Sequence, residues 1–378
     1  MFNVLRPRFA VASLAVLACL VASGCGSSDK STATSNSSNN ATSPPASNSG
    51  LAEAQAVVKK FTDQPTAFPA LPPLKALPKG KKFVYVPCSA PECVAIGGYM
   101  KSEAAKMGAD FKMIPAGATA QGTTTAFDSA LAGKPDVIMT DAVEPSAWGP
   151  QLKKATALGI KTVAFNVNKP ETTGVTWWYG SELFGPLGEY LADWVIADSN
   201  GKGKAVFVWP PQIAVFTPTA EGFKAEMAKR CPACSADVLE VPAGDIATPR
   251  LPTAVVSYLQ KHPDVKYVVP AFGSMTLGLA GAFKTGGIDA KILTQACSPP
   301  NYESVKAGGE AVCLAKSLQM EGLLALDGAA RLATGQDTVV NPRPSFQFLG
   351  KDQITFDPKK GWFPYPDYIQ RFEKIWGV

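Results

Sequence analysis

From Phe83 onward the chain alternates short runs of apolar, β-branched and aromatic residues with longer amphipathic stretches. The runs Phe83–Pro87, Asp110–Ile114, Asp136–Thr140 and Lys161–Phe165 lack the alternation of a half-exposed strand, which predicts strands covered on both faces. Between them, Ile96–Met107, Thr123–Leu131 and Ala147–Leu158 predict helices, the first and third stopped by Gly108 and Gly159. After a break the alternation resumes, with helices at Leu183–Ala197, Ala220–Lys229, Thr253–Gln260 and Met275–Phe283. The strands interleaved with them are Lys204–Trp209, Asp237–Val241, Val265–Pro270 and Lys291–Gln295. Strand and helix in alternation make βαβ units and parallel sheets. Two successive sets predict an α/β molecule of two Rossmann-like lobes, with ligands held beyond the carboxyl ends of the strands.

The N-terminal pattern differs. Arg6 and Arg8 precede an apolar run from Phe9 to Val21 and a stretch of small residues, which reads as a secretory signal over residues 1–24. The run is too short for a membrane span of about 20 residues. Ala22-Ser23-Gly24-Cys25 resembles a bacterial lipobox, which implies a lipid on Cys25 and attachment to the membrane by that lipid alone. Residues 26–50 are almost wholly Ser, Thr, Asn, Ala, Pro and Gly, the composition of a flexible tether. Leu51–Phe61 could form a short helix, and a Pro-rich lead-in follows, so residues 25–80 are expected to lie outside a folded core of residues 81–378.

The chain's 378 residues, at about 150 per domain, suit two or three domains. Its formal charge of +5 falls to +3 without residues 1–24, which hold two Arg and no acid, so nothing favours a nucleic-acid partner. Of eight cysteines, six remain after Cys19 and Cys25 are set aside, an even number that suits disulfides in an exported chain. Proximity favours Cys88 with Cys93, Cys231 with Cys234 and Cys297 with Cys313 among the pairings that six cysteines leave open. The C-x-x-C at 231–234 follows a helical segment instead of opening one, which favours a structural clip over a redox dithiol. One histidine, His262, closes a predicted helix, so neither a zinc site nor a histidine-dependent nucleophile is expected. There is no Walker A sequence, G-x-G-x-x-G or G-x-S-x-G, and no cofactor is expected.

From Phe83 to Leu332 the chain resembles the type I periplasmic solute-binding proteins, in the ribose- and galactose-binding branch that serves ABC importers. The residues that carry the resemblance are YMKSEAAKMGAD (99–110), the long run from FDSALAG to TVAFN (127–166), GSELFGPLGEYLADWVI (180–196), TAEGFKAEM (219–227), YLQKHPDVKYVVPAFGSM and its continuation to Ile288, and VKAGGEAVCLAKSLQMEGLLALDGAARL (305–332). The resemblance implies two lobes joined by a multi-strand hinge, residues 81–176 plus 318–348 in one and 177–317 plus 349–378 in the other. It also implies a monomeric, non-enzymatic binder outside the cytoplasm, anchored by Cys25, that hands a small molecule to an ABC permease and its ATPase subunit. A ligand sensor for a chemoreceptor or other signalling partner is the alternative, and a secreted α/β hydrolase a weaker one.

The family pattern places the ligand at loops after the strands. It points to Ser89 and Glu92 in CSAPEC, Asp141, Asn166, Phe216, Thr217, Phe272, Cys297 and Ser298. At several of these loops the sequence departs from sugar binders. Asn166 stands where an Asp-Arg pair is frequent, Thr219 near a ligand-binding Arg, Phe272-Gly273 where Asn-Asp is usual, and Cys297 for an Asp. The departures imply the loss of a charged grip and a cyclic ligand less hydroxyl-rich than a free pentose or hexose, with Phe216 and Phe272 stacking on a ring.

Overall fold

The computed structural model describes residues 46–378 except 118, 172 and 173, with side chains from residue 49 onward. The signal segment, Cys25 and the tether up to residue 45 lie outside the described residues. The chain opens with α1 (Ala46–Thr62) and reaches β1 (Lys82–Pro87), α2 (Pro91–Lys106), β2 (Asp110–Met113), α3 (Ala120–Ala132), β3 (Val137–Asp141), α4 (Gly149–Ala157), β4 (Lys161–Phe165) and β5 (Trp177–Tyr179). The second half continues with α5 (Phe184–Asp198), β6 (Lys204–Trp209), α6 (Thr217–Arg230), β7 (Ser235–Glu240), α7 (Arg250–Lys261), β8 (Tyr267–Pro270), α8 (Leu279–Gly286) and β9 (Lys291–Gln295). It ends with α9 (Pro299–Ala307), β10 (Val312–Lys316), α10 (Leu318–Ala333), β11 (Phe346–Leu349) and α11 (Tyr368–Trp376).

Two sheets result. The first runs β2-β1-β3-β4-β5, all parallel, and the second β11-β10-β9-β8-β6-β7, parallel except for the antiparallel β10–β11 pair. The strands are covered on both faces, as their unbroken apolar runs require: Phe83, Tyr85, Val137 and Val163 pack on one side of the first sheet, Val84, Val86 and Ile138 on the other. The second sheet's core gathers Val206, Phe207, Val268 and Leu314 with α5, α6 and α7.

The lobe boundaries differ from those expected. β5 pairs with β4 and so belongs to the first sheet, moving the first crossing from residue 176 to beyond 179. Within 318–348, α10 packs on the core of the first sheet, whereas β11 pairs with β10 in the second. Within 349–378 the chain then returns, because Tyr368, Phe372 and Trp376 of α11 pack with Phe83, Met100 and Ala330 of the first lobe.

The lead-in is ordered from residue 46, so the fold starts well before residue 81. α1 lies on the second lobe, where Phe61 packs 4.4 Å from Tyr190 and 6.5 Å from Phe348, ring centroid to centroid. The next residues cross to the first lobe, where Phe68, Leu71, Leu74 and Leu77 pack on its core. Backbone bonds fix them: Gln347 Nε2 donates to Thr62 O (2.9 Å), Leu74 N–H to Ile375 O (2.9 Å), and Arg331 to Pro72 O. The segment is a strap across both lobes.

Candidate functional site

At the carboxyl ends of β3, β4 and β9 the next residue adopts a left-handed backbone: Ala142 (φ 52°), Asn166 (φ 52°) and Ala296 (φ 52°). Asparagine tolerates this conformation, whereas the two alanines take it at a steric cost. The turn aims Asn166 across the strand ends, where its Nδ2 donates to Asp141 Oδ1 (2.8 Å) and its Oδ1 accepts from Lys316 Nζ (3.3 Å). Lys316 ends β10, just before the crossing into α10, and pairs with Glu321 Oε1 at 2.7 Å, both side chains deeply buried. Its ammonium also stands 5.8 Å over the ring of Phe184, at the start of α5.

From Phe184 the lining runs to Phe216 (5.9 Å, edge to face) and then to Phe272, whose ring stacks on Phe216 at 5.0 Å. Ser274 follows Phe272, and its N–H donates to Glu92 Oε1 of the opposite lobe (2.9 Å). Glu92 lies in the first turn of α2, beside Cys93, whose carbonyl accepts from Tyr85 OH (2.8 Å); the same hydroxyl lies 3.3 Å from Asp141 Oδ2. The contacts close a circuit through both lobes: Glu92, Tyr85, Asp141, Asn166, Lys316, Phe184, Phe216, Phe272 and Ser274.

Burial dominates the electrostatics of this circuit. Desolvation, reinforced by the neighbouring Glu321, pushes the Asp141 carboxyl up to about 7. Desolvation also raises Glu321, against the opposing pull of Lys316, and raises Glu92, against its hydrogen bonds.

Several expected site residues are here and several are not. Glu92, Asp141, Asn166, Phe216 and Phe272 share the circuit, although Glu92 sits on a helix instead of a loop because Pro91 starts α2 at its first position. Thr217 is half-buried as the first residue of α6, and Ser89 is exposed on the turn between Cys88 and Cys93, which are bridged. Cys297 is bridged to Cys313 and packed among Tyr302, Val305, Leu349 and Trp362, so its sulfur is part of a core and not of the cleft. Ser298 caps α9 through reciprocal bonds with Asn301, which occupies its hydroxyl. The Cys231–Cys234 bridge clips the turn between α6 and β7.

Beside the expected Glu92 and Asp141, two further charged residues, Lys316 and Glu321, are buried around the same strand ends. Lys316, Glu321, Phe184 and Ser274 were missed by sequence reasoning. A lysine ending the apolar run Val-Cys-Leu-Ala-Lys, and a glutamate just before the apolar run Leu323–Leu326 of α10, were the available signals. His262 caps α7 and stacks on Tyr258 at 4.3 Å, away from these groups. No group of potential metal ligands occurs among the described residues, and no described helix is long and apolar enough to cross a membrane. A groove of about 660 Å³ between α7 and α8, lined by residues such as Pro252, Val256 and Leu277, contains no titratable side chain and includes none of these groups.

Comparisons with known proteins agree with this architecture. A glucose-galactose binding protein from Geobacillus stearothermophilus has a TM-score of 0.66 at 17% identity, covering 74% of this chain and 100% of that one. A solute-binding protein from Burkholderia graminis C4D1M in complex with D-arabinose gives 0.67 at 18% identity, over 75% and 99%. A 5-methylthioribose transporter solute-binding protein from Thermotoga lettingae TMO, bound to that compound, gives 0.65 at 16% identity, over 81% and 99%. No curated protein matches the chain. The family described as periplasmic binding protein domain matches residues 92–337. With two α/β sheets joined by crossings of the backbone, the chain belongs to that family of non-enzymatic solute-binding proteins, in its type I form.

Proposed function

We propose that this protein captures a small cyclic solute between its lobes outside the cytoplasm and delivers it to an ABC permease, whose ATPase subunit is a separate chain. The observation that carries this reading is the closed circuit of side chains drawn from the strand ends of both lobes, joined across the cleft by the Glu92–Ser274 bond. Its two halves differ in chemistry. The first lobe offers Asp141 and Asn166 for hydrogen bonding, and the second offers the stacked Phe216 and Phe272. A ring with one polar edge and one apolar face fits that division, and the three solved relatives are sugar-binding or thiosugar-binding by their descriptions.

Lipidation of Cys25 would keep the binder beside its permease, with the polar segment up to residue 45 as tether. The reading is tested by thermal shift and calorimetry against sugars, polyols and cyclic metabolites. Saturable binding without turnover, weakened about tenfold or more by Phe216→Ala or Phe272→Ala, is the expected result. Turnover of a bound compound, or full affinity in both variants, would overturn it. For the anchor, Cys25→Ala should release the protein from the membrane fraction.

A further inference from the structure

Glu92 differs from the other buried carboxylates in how its charge is met. Glu321 has Lys316, Asp327 has Arg331, Asp193 has Arg230, and Glu310 accepts from Thr276 and is approached by Asn301. Glu92 spends Oε1 on the Ser274 N–H, and the neighbouring Ser274 hydroxyl draws its carboxyl down against desolvation; Oε2 and that hydroxyl are both buried without a well-formed hydrogen bond, and no ion pair among the described residues includes Glu92. The orphan oxygen sits where the two lobes meet. An uncompensated buried carboxylate is costly, and the N-terminal turn of α2 offsets only part of that cost.

The surroundings favour a cation from elsewhere. Around the cleft stand three buried carboxyls: Asp141, raised to about 7 and met by Asn166 and Tyr85, Glu321, met by Lys316, and Glu92, with which no cation among the described residues pairs. The adjoining wall is aromatic, and the faces of Phe216, Phe272 and Phe184 attract positive charge once water is excluded. The Ser274 hydroxyl, and Trp209 Nε1 and Gln295 Oε1 at the ends of β6 and β9, are also buried without partners among the described residues, leaving polar positions for neutral groups.

We propose that the solute carries a protonated nitrogen, as a primary or secondary ammonium on a small ring, that donates to Glu92 Oε2 while the ring lies against Phe216 and Phe272. The assignment rests on the solute-capture reading above and narrows its ligand class. A neutral hydroxyl could donate to the same oxygen, but a bond between two charged partners is about twice as strong.

The test compares matched amine and neutral compounds on the full chain: D-glucosamine with D-glucose, D-galactosamine with D-galactose, and trans-2-aminocyclohexanol with cyclohexane-1,2-diol. At least one amine should bind about tenfold or more tighter than its neutral partner. Glu92→Gln, which keeps an acceptor for Ser274 N–H, should reduce that preference to about threefold or less. Glu92→Asp, which keeps the charge, should retain the preference at lower affinity, and unliganded melting curves of both variants report whether they fold. Equal or better binding of the neutral compounds, or an amine preference that survives in Glu92→Gln, overturns the assignment and leaves solute capture intact. Binding of sugars or polyols from the wider panel with none by any amine has the same meaning. Silence of every compound in both panels overturns the assignment and the solute-capture reading together.

Discussion

Replacing Lys316 with Met removes the one cation that faces Glu321 and should be among the most damaging single changes where the two lobes meet. At 2.7 Å and an effective dielectric constant of about 20, the pair's direct attraction is about 6 kcal/mol before desolvation is subtracted. Breaking such a pair from one side commonly costs about 3–5 kcal/mol, because the surviving charge is left buried. Two features moderate the loss here. Methionine fills much of the vacated volume, and Glu321, already raised by burial, can take up a proton. We therefore expect a loss of about 3 kcal/mol at pH 7 in urea unfolding followed by tryptophan fluorescence. The pH dependence has a definite sign. With the lysine gone, the folded state holds a proton on Glu321 that the unfolded chain has released, so stability falls as pH rises. The deficit should be small near pH 4.5 and grow towards pH 8. In the Lys316→Met/Glu321→Gln double variant about 2 kcal/mol should return, since the stranded charge is gone. A loss below about 1 kcal/mol for Lys316→Met, or a double variant no more stable than the single, would refute the reasoning.

Other variants probe separate parts of the same argument. Asp141 titrates at about 7 in the fold against 3.8 as the ordinary value, so its burial should cost stability progressively from pH about 4 to about 7, up to about 4 kcal/mol in all; Asp141→Asn should flatten that slope and be the more stable protein at pH 8. Gly188 lies where α5 meets α6, and a methyl group there would stand 2.0 Å from Thr219 O, so Gly188→Ala should force the helices apart and lower stability by about 3 kcal/mol in the same urea assay. Phe61→Ala should loosen the strap from Tyr190 and Phe348, costing about 2 kcal/mol and making the segment around residues 62–70 the first cut in limited proteolysis; an unchanged cleavage pattern would count against the strap's dependence on that ring.

The two-lobed fold was legible because strands covered on both faces must be apolar throughout, and helices between them force parallel pairing. What escaped was short or depended on distant partners. Trp177–Tyr179 and Phe346–Leu349 are strands of three and four residues, too brief to show a period, and each joins the sheet of the lobe opposite to the one expected. The Pro-rich lead-in reads as linker by composition, yet Phe68, Leu71, Leu74 and Leu77 recur every third residue. That spacing places them along one side of a chain with three residues per turn, as in polyproline II, and they bury that side on the first lobe. In the cleft, the aromatic pair and the Glu92, Asp141 and Asn166 cluster were visible as residue types after strands. Lys316 was not, because a charge at the end of a core strand is tolerated only through Glu321 and Asn166, the latter 150 residues away in sequence.

The way the circuit is held separates what can move from what cannot. On the first lobe, Glu92 is pinned by the Cys88–Cys93 bridge around its turn and by Tyr85 OH on the Cys93 carbonyl, all within one lobe. On the second, Phe216 and Phe272 are fixed against each other, and Ser274 lies two residues beyond Phe272. The polar links between these two sets are Glu92–Ser274 at one end and Asn166–Lys316 at the other. Were the lobes to rotate about the crossovers, Lys316, immediately before one of them, would move little, whereas Glu92 and Ser274, on opposite lobes, would separate. Such an opening would spare the buried ion pair of Lys316 and Glu321, whose disruption is expensive, and would break one hydrogen bond, worth about 1 kcal/mol, beside a carboxylate that water could then solvate. A solute that neutralises Glu92 acts on the contact that separates, where its binding free energy favours the closed form most directly.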